Sequence, residues 1–97
     1  MTSTETTSIL RKHLPHLRAE HGVRALLVFG SVARNAATPA SDVDMLVEFN
    51  RPTGFFGLFR LQDDLVAILG SPVDLGTPAA LKPAVRERAL REGIRVE

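Results

Sequence analysis

The sequence predicts a small α/β domain built on a mixed sheet of three to four strands flanked by helices. Three observations carry that expectation. Helical and strand-like segments alternate along the chain in the order αβαβαβα, with a further short strand at the end. Val23–Phe29 is an apolar run broken only by Arg24, the mark of a strand covered on both faces. Phe55–Leu69 places Leu58, Leu61, Leu65 and Ile68 at helical spacing, with Asp63 and Asp64 off that face.

The elements follow in order. Residues 1–8 are polar and Thr-rich and read as a frayed start. Residues 9–21 read as a helix with Leu10, Leu14 and Leu17 on one face, kinked or restarted at Pro15 and ended by Gly22. After the strand Val23–Phe29, residues 31–36 form a short helix with Ser31 near its N-cap. Thr38-Pro39-Ala40-Ser41 is a turn, residues 42–49 are a second strand and residues 50–54 a loop. Gly70 suits the C-cap of the helix Phe55–Leu69, and Pro72 blocks its continuation. Val73–Gly76 is a short third strand, residues 82–91 a basic amphipathic helix, and Ile94–Val96 an edge strand.

Composition narrows the function classes. The 97 residues make one small domain, a single unit over residues 1–97, with 44% hydrophobic and 24% charged residues, the balance of a folded chain. There is no cysteine, which removes disulfides and thiolate zinc sites and fits a reducing cytoplasm. A net charge of +1 gives no broad electrostatic grip on nucleic acid, so nucleotide binding has to be local. No apolar run is long enough to span a bilayer, and the N-terminus has no signal-peptide pattern.

The chemistry concentrates in Gly30-Ser31, ten intervening residues, and Asp42-Val43-Asp44. Gly30 lacks a Cβ, so backbone there can approach a ligand closely. A helix opened by Ser31 presents a hydroxyl and free N–H groups to phosphate, and Arg34 lies over the same face. Asp42 and Asp44, two apart on a strand, project to one side. Such carboxylates repel, and either protonation or a bound cation relieves them; oxygen ligands of this kind suit Mg²⁺. The short connection makes the two strands antiparallel and brings phosphate cradle and carboxylates to one sheet edge. Asp74, polar between Val73 and Leu75, adds a third carboxylate, which either completes a two-metal clamp or accepts the proton of an attacking hydroxyl.

Phe29-Gly30-Ser31-Val32-Ala33-Arg34, Ser41-Asp42-Val43-Asp44-Met45-Leu46-Val47 and Val73-Asp74-Leu75 resemble the polymerase-beta-like nucleotidyltransferase superfamily. Within it the chain is similar to the minimal nucleotidyltransferases that act as antitoxins to HEPN-domain ribonuclease toxins. The resemblance implies a nucleotidyltransferase fold, with nucleotide held by Gly30, Ser31, Arg34 and Ser41. It implies that Asp42, Asp44 and Asp74 are the catalytic, metal-binding trio for Mg²⁺ or Mn²⁺. It also implies AMP transfer from ATP to a tyrosine of a HEPN-type partner in the cytoplasm, with no nucleic acid or membrane as partner. Asn35 stands where relatives often carry glycine; asparagine tolerates left-handed backbone. Two other functions compete: a non-catalytic module that neutralises the toxin by occlusion, and a subunit of an aminoglycoside-type nucleotidyltransferase.

Plainer readings hold elsewhere. Arg34 has an alternative as a surface arginine paired with Glu48 or an aspartate. His13 and His16 lie one helical turn apart, but no carboxylate or cysteine joins His13, His16 and His21 at a metal-site spacing, so they read as a solvated face. Asp63-Asp64 and Arg86, Arg88 and Arg91 read the same way. Phe55, Phe56 and Phe59 read as core, with Phe55 or Phe56 the ones to meet a partner.

Overall fold

Leu10, Leu14 and Leu17 make one buried stripe, and that stripe organises α1 (Ser3–His21). The computed structural model describes residues 2–38 and 41–97. Helix α1 therefore begins six residues before the start expected at Ile9, and of the segment expected to fray Ser3–Ser8 is helical; Met1 lies outside the described residues. Thr2 is its N-cap, and the Thr2 hydroxyl accepts from the Glu5 N–H at 3.1 Å. Thr2 and Glu5 have the spacing of a capping box, a local signal for a helix start. Thr6 and Thr7 are buried, but each hydroxyl donates to a backbone carbonyl one turn back, so neither is left unsatisfied. Helix α1 also continues across Pro15 as one element. A proline inside a helix costs about 3 kcal/mol, whereas burying each leucine returns roughly 1.5–3 kcal/mol; three leucines on the same helix outweigh it.

Four strands follow: β1 (Val23–Phe29), β2 (Val43–Phe49), β3 (Val73–Gly76) and β4 (Ile94–Val96), in the sheet order β3-β2-β1-β4. β1 runs antiparallel to β2 and β4, as its short connection to β2 requires, and β2 runs parallel to β3. The sheet is mixed, as expected, with β4 on one edge. Strand periodicity sorts the side chains. Val23, Leu26, Val28, Val43, Met45, Val47, Val73, Leu75 and Val96 face the core under α1 and α3 (Phe55–Leu69). Ala25, Leu27, Phe29, Asp44, Leu46 and Asp74 share the opposite face, as their registers show. That second face is only partly covered, by α4 (Pro83–Glu92) and a 3-10 turn at Pro78–Ala80, so Ala25, Leu27 and Phe29 stay half-buried. The expectation that β1 is fully covered on both sides is thus corrected.

The link from β1 to β2 departs from expectation in detail. The helix here, α2, spans Gly30–Ala33, and Phe29 rather than Ser31 is its N-cap. Of the expected turn, Pro39 and Ala40 lie outside the described residues; at its ends the Ser41 N–H donates to the Thr38 carbonyl at 3.0 Å. Asn35 takes the left-handed conformation, φ 54°, which its short polar side chain tolerates. Its Oδ1 accepts from the Ser3 N–H at 2.9 Å and so ties the start of α1 to the loop after α2. Asn35→Ala is expected to lower stability by about 1–2 kcal/mol through loss of this cap with the backbone strain retained. Asn35→Gly keeps the turn relaxed and loses less, and urea melts of both variants check the order.

Candidate active site

The end of β1, the start of β2 and the start of β3 converge because antiparallel and parallel pairing put their ends side by side. Phe29 pairs with Asp44 across β1 and β2, and Asp44 pairs with Asp74 across β2 and β3. Directly paired strands lie about 4.8 Å apart, so two carboxylates sit on neighbouring strands of one face. Asp42, just before β2, is exposed, as is Asp74, while Asp44 is half-buried between them. Burial pushes the Asp44 carboxyl above its ordinary value, and the charges of Asp74 and Asp42 push it further; Arg34 opposes them without cancelling them. The repulsion expected between Asp42 and Asp44 thus acts on Asp44, with Asp74 as a further contributor.

Gly30 closes the site from the other side. It has a left-handed backbone, φ +69°, and a Cβ built there would collide with the Asp44 carboxylate. The close approach that glycine permits is thus made to the Asp44 carboxylate. Ser31 is the second residue of α2 and half-buried. The Ser41 hydroxyl meets the Thr38 N–H at 3.0 Å and the Thr38 hydroxyl at 3.2 Å, so it closes the loop ahead of β2. Arg34 caps the C-terminus of α2 and pairs with Glu92 of α4 at 3.6 Å, not with Glu48, which is held by Arg24 at 2.6 Å. Glu92 and Arg88 border a crevice of about 140 Å³ beside Gly30 and Arg34. No local spacing could have brought Glu92 to Arg34, because the helix that carries it returns only through the tertiary fold.

Other residues separate from the site. Phe55, Phe56 and Phe59 are not core: they are 77%, 83% and 54% exposed, and Phe55 stacks on Phe59 with ring centroids 6.4 Å apart. Of α3, Leu58, Leu61, Leu65, Val66, Ile68 and Leu69 meet the core, and the three phenylalanines do not. Asp63 is exposed, as expected, but Asp64 is not a free surface charge; it accepts from His16 and His21. His13 meets the Ile9 carbonyl of its own helix at 2.9 Å.

A cluster of carboxylates on a mixed sheet, with a glycine-led helix against it, is the arrangement of a nucleotidyl-transferring enzyme. The sequence pattern of the nucleotidyltransferase domain matches residues 10–96. The chain belongs to the nucleotidyltransferase domain family, among its minimal members. It is 40% identical over 96 residues to a protein adenylyltransferase, MntA, of Thermococcus cleftensis, covering 99% of this chain and 97% of that protein. It superposes on a solved minimal nucleotidyltransferase with a TM-score of 0.80 at 39% identity, over 97% of this chain and 95% of the other. The same fold, at 16% identity and a TM-score of 0.67, occurs in a complex of a tri-AMPylated Shewanella oneidensis HEPN toxin with an MNT antitoxin. That match spans 94% of this chain and 71% of the matched one.

Proposed function

We propose that this protein transfers AMP from ATP to a hydroxyl of a partner protein, a tyrosine of a HEPN-type ribonuclease toxin, and so acts as its antitoxin. The observation that carries the reading is Asp44 set against Gly30, with Asp74 paired to it on the next strand and the charge of Asp42 acting on it. The adenylyltransferase relative and the AMPylated toxin complex supply the nucleotide and the class of partner. The chain contains no tyrosine, so a tyrosine acceptor has to come from another molecule.

The donor set fits a divalent cation. Three carboxylates on one face leave an uncompensated negative charge, which already raises Asp44, and hard oxygen donors favour Mg²⁺, with Mn²⁺ as a substitute. Held by Asp42, Asp44 and Asp74, such an ion supplies charge neutralisation for the phosphates and for the developing negative charge. The protein's own groups do the rest. Gly30 lets the α2 backbone approach the phosphates, and Ser31 and Arg34 donate to their oxygens, Arg34 exchanging Glu92 for the ligand. The acceptor hydroxyl oxygen attacks the α-phosphorus, its proton passing to the exposed Asp74 carboxylate, and the bond to the bridging oxygen breaks with release of pyrophosphate. Phe55 and Phe56 offer an exposed apolar surface on which a partner can dock.

Intact-mass measurement of the partner after incubation with this protein, ATP and Mg²⁺ tests the reading. Adenylyl adducts are expected with wild type and none with Asp42→Asn or Asp74→Asn. Silencing of the partner without adducts, and equally by both variants, would replace it with occlusion by a non-catalytic module.

A further inference from the structure

Away from the active site, the largest gathering of unused chemistry lies where α1 packs on α3. There His16, His21 and Asp64 bring two imidazole nitrogens and one carboxylate oxygen within 4.8 Å of one another. His16 Nε2 at 2.7 Å and His21 Nε2 at 2.8 Å both reach the same atom, Asp64 Oδ2. We propose that His16, His21 and Asp64 form a binding site for a transition-metal dication of the zinc class, which clamps α1 to α3 and is separate from the catalytic carboxylates.

Donor chemistry selects the ion. Two imidazoles and a carboxylate suit Zn²⁺, Co²⁺ or Ni²⁺, whereas Mg²⁺ and Ca²⁺ prefer all-oxygen sets. Three protein donors leave the fourth position of a tetrahedral site to water. The two rings meet edge to face, at 89° with centroids 6.2 Å apart, so their Nε2 atoms converge on one point instead of stacking. Without metal, each imidazole donates to Asp64; with metal, each presents a lone pair at Nε2 and carries its hydrogen on Nδ1. Around zinc, donor atoms stand about 3.3 Å apart, so each imidazole nitrogen has to draw back from Asp64 Oδ2 by roughly half an ångström, a side-chain adjustment.

The surroundings permit both entry and retention. His21 and Asp64 are largely enclosed, with side chains 14% and 27% exposed, while His16 is 48% exposed and leaves one side open. Burial pushes the Asp64 carboxyl up, but the hydrogen bonds from His21 and His16, and their charge, outweigh it and hold it below its ordinary value. The site is also remote from the proposed chemistry. His21 stands before the first residue of β1 and Gly30 after its last, and seven residues of strand span roughly 20 Å.

Untagged full-length protein, stripped of metal with chelator and dialysed, is titrated with ZnCl₂ by calorimetry and melted with and without zinc. One bound Zn²⁺ per chain and a raised melting temperature are expected, with Mg²⁺ failing to compete. Co²⁺ should give the visible absorption bands of a tetrahedral site. His16→Gln changes an exposed side chain, and Asp64→Asn keeps a hydrogen-bond acceptor; each is expected to weaken zinc binding by at least about tenfold. The Asp42→Asn plus Asp44→Asn double variant should bind zinc as wild type does. Zinc binding lost in that double variant and kept in His16→Gln would overturn the proposal, as would a melting temperature and calorimetric trace indifferent to zinc.

Discussion

Asp44→Asn is expected to abolish nucleotidyl transfer while making the metal-free protein more stable at neutral pH. The loss of activity should be on the order of 100-fold or more, the scale observed when one preorganised electrostatic group is removed from an active site. The gain in stability comes from the same residue. Asp44 has its folded-state pKa raised, by burial first and then by Asp74 and Asp42. A raised carboxylate binds its proton more tightly in the folded state, so folding stability falls as pH rises from the ordinary aspartate value, about 3.9, through the folded value. Above that window the penalty is complete; below it the penalty vanishes. Asparagine carries no charge and escapes it. Thermal melts in chelator from pH 3.5 to 8 should therefore show the variant above wild type at neutral pH, the gap closing as the pH is lowered. Added Mg²⁺ should stabilise wild type more than the variant. A variant less stable than wild type at every pH would show that Asp44 contributes packing or hydrogen bonding to the fold rather than an unrelieved charge.

Gly30→Ala is expected to damage fold and activity together. Alanine at φ +69° is strained, at a cost of about 1–3 kcal/mol. The new methyl group also has no room, because the Asp44 carboxylate occupies its place, so that carboxylate has to swing away. A displacement of about 1 Å at a reacting centre can cost on the order of 100-fold in rate. Gly70→Ala is the matched control: its backbone is equally left-handed, φ +66°, but nothing lies within 4 Å of the added Cβ. It should show the strain in urea melts and keep full transfer activity. Activity retained by Gly30→Ala at wild-type level would mean that Asp44 works from more than one position.

The arrangement of Gly30 against Asp44 also marks how far the chain's text reached. The text placed Gly30 at the end of β1 beside the carboxylates at the start of β2, because a strand has a period of two and a short link between strands forces antiparallel pairing. The same rules gave α3, β1 and β3 their bounds, since Leu61, Leu65 and the apolar runs repeat at distances within one element. The capping pair Thr2 and Glu5 was equally local and legible, yet the polar composition around it suggested fraying. Composition is a weaker guide than a cap when the helix behind it has a leucine stripe to bury.

What only the tertiary structure decided are the contacts between elements far apart in the chain. The pairing of Arg34 with Glu92 depends on where α4 returns over the sheet. The Asn35 cap on Ser3 depends on where α1 begins relative to the loop after α2. The exposure of Phe55, Phe56 and Phe59 depends on which part of α3 the other elements cover. The convergence of His16 and His21 on Asp64 depends on the packing of α1 against α3. Periodicity fixes which side of its own element a residue occupies. It carries no information about which other element will lie there, because that is set by the joint burial of several apolar faces at once.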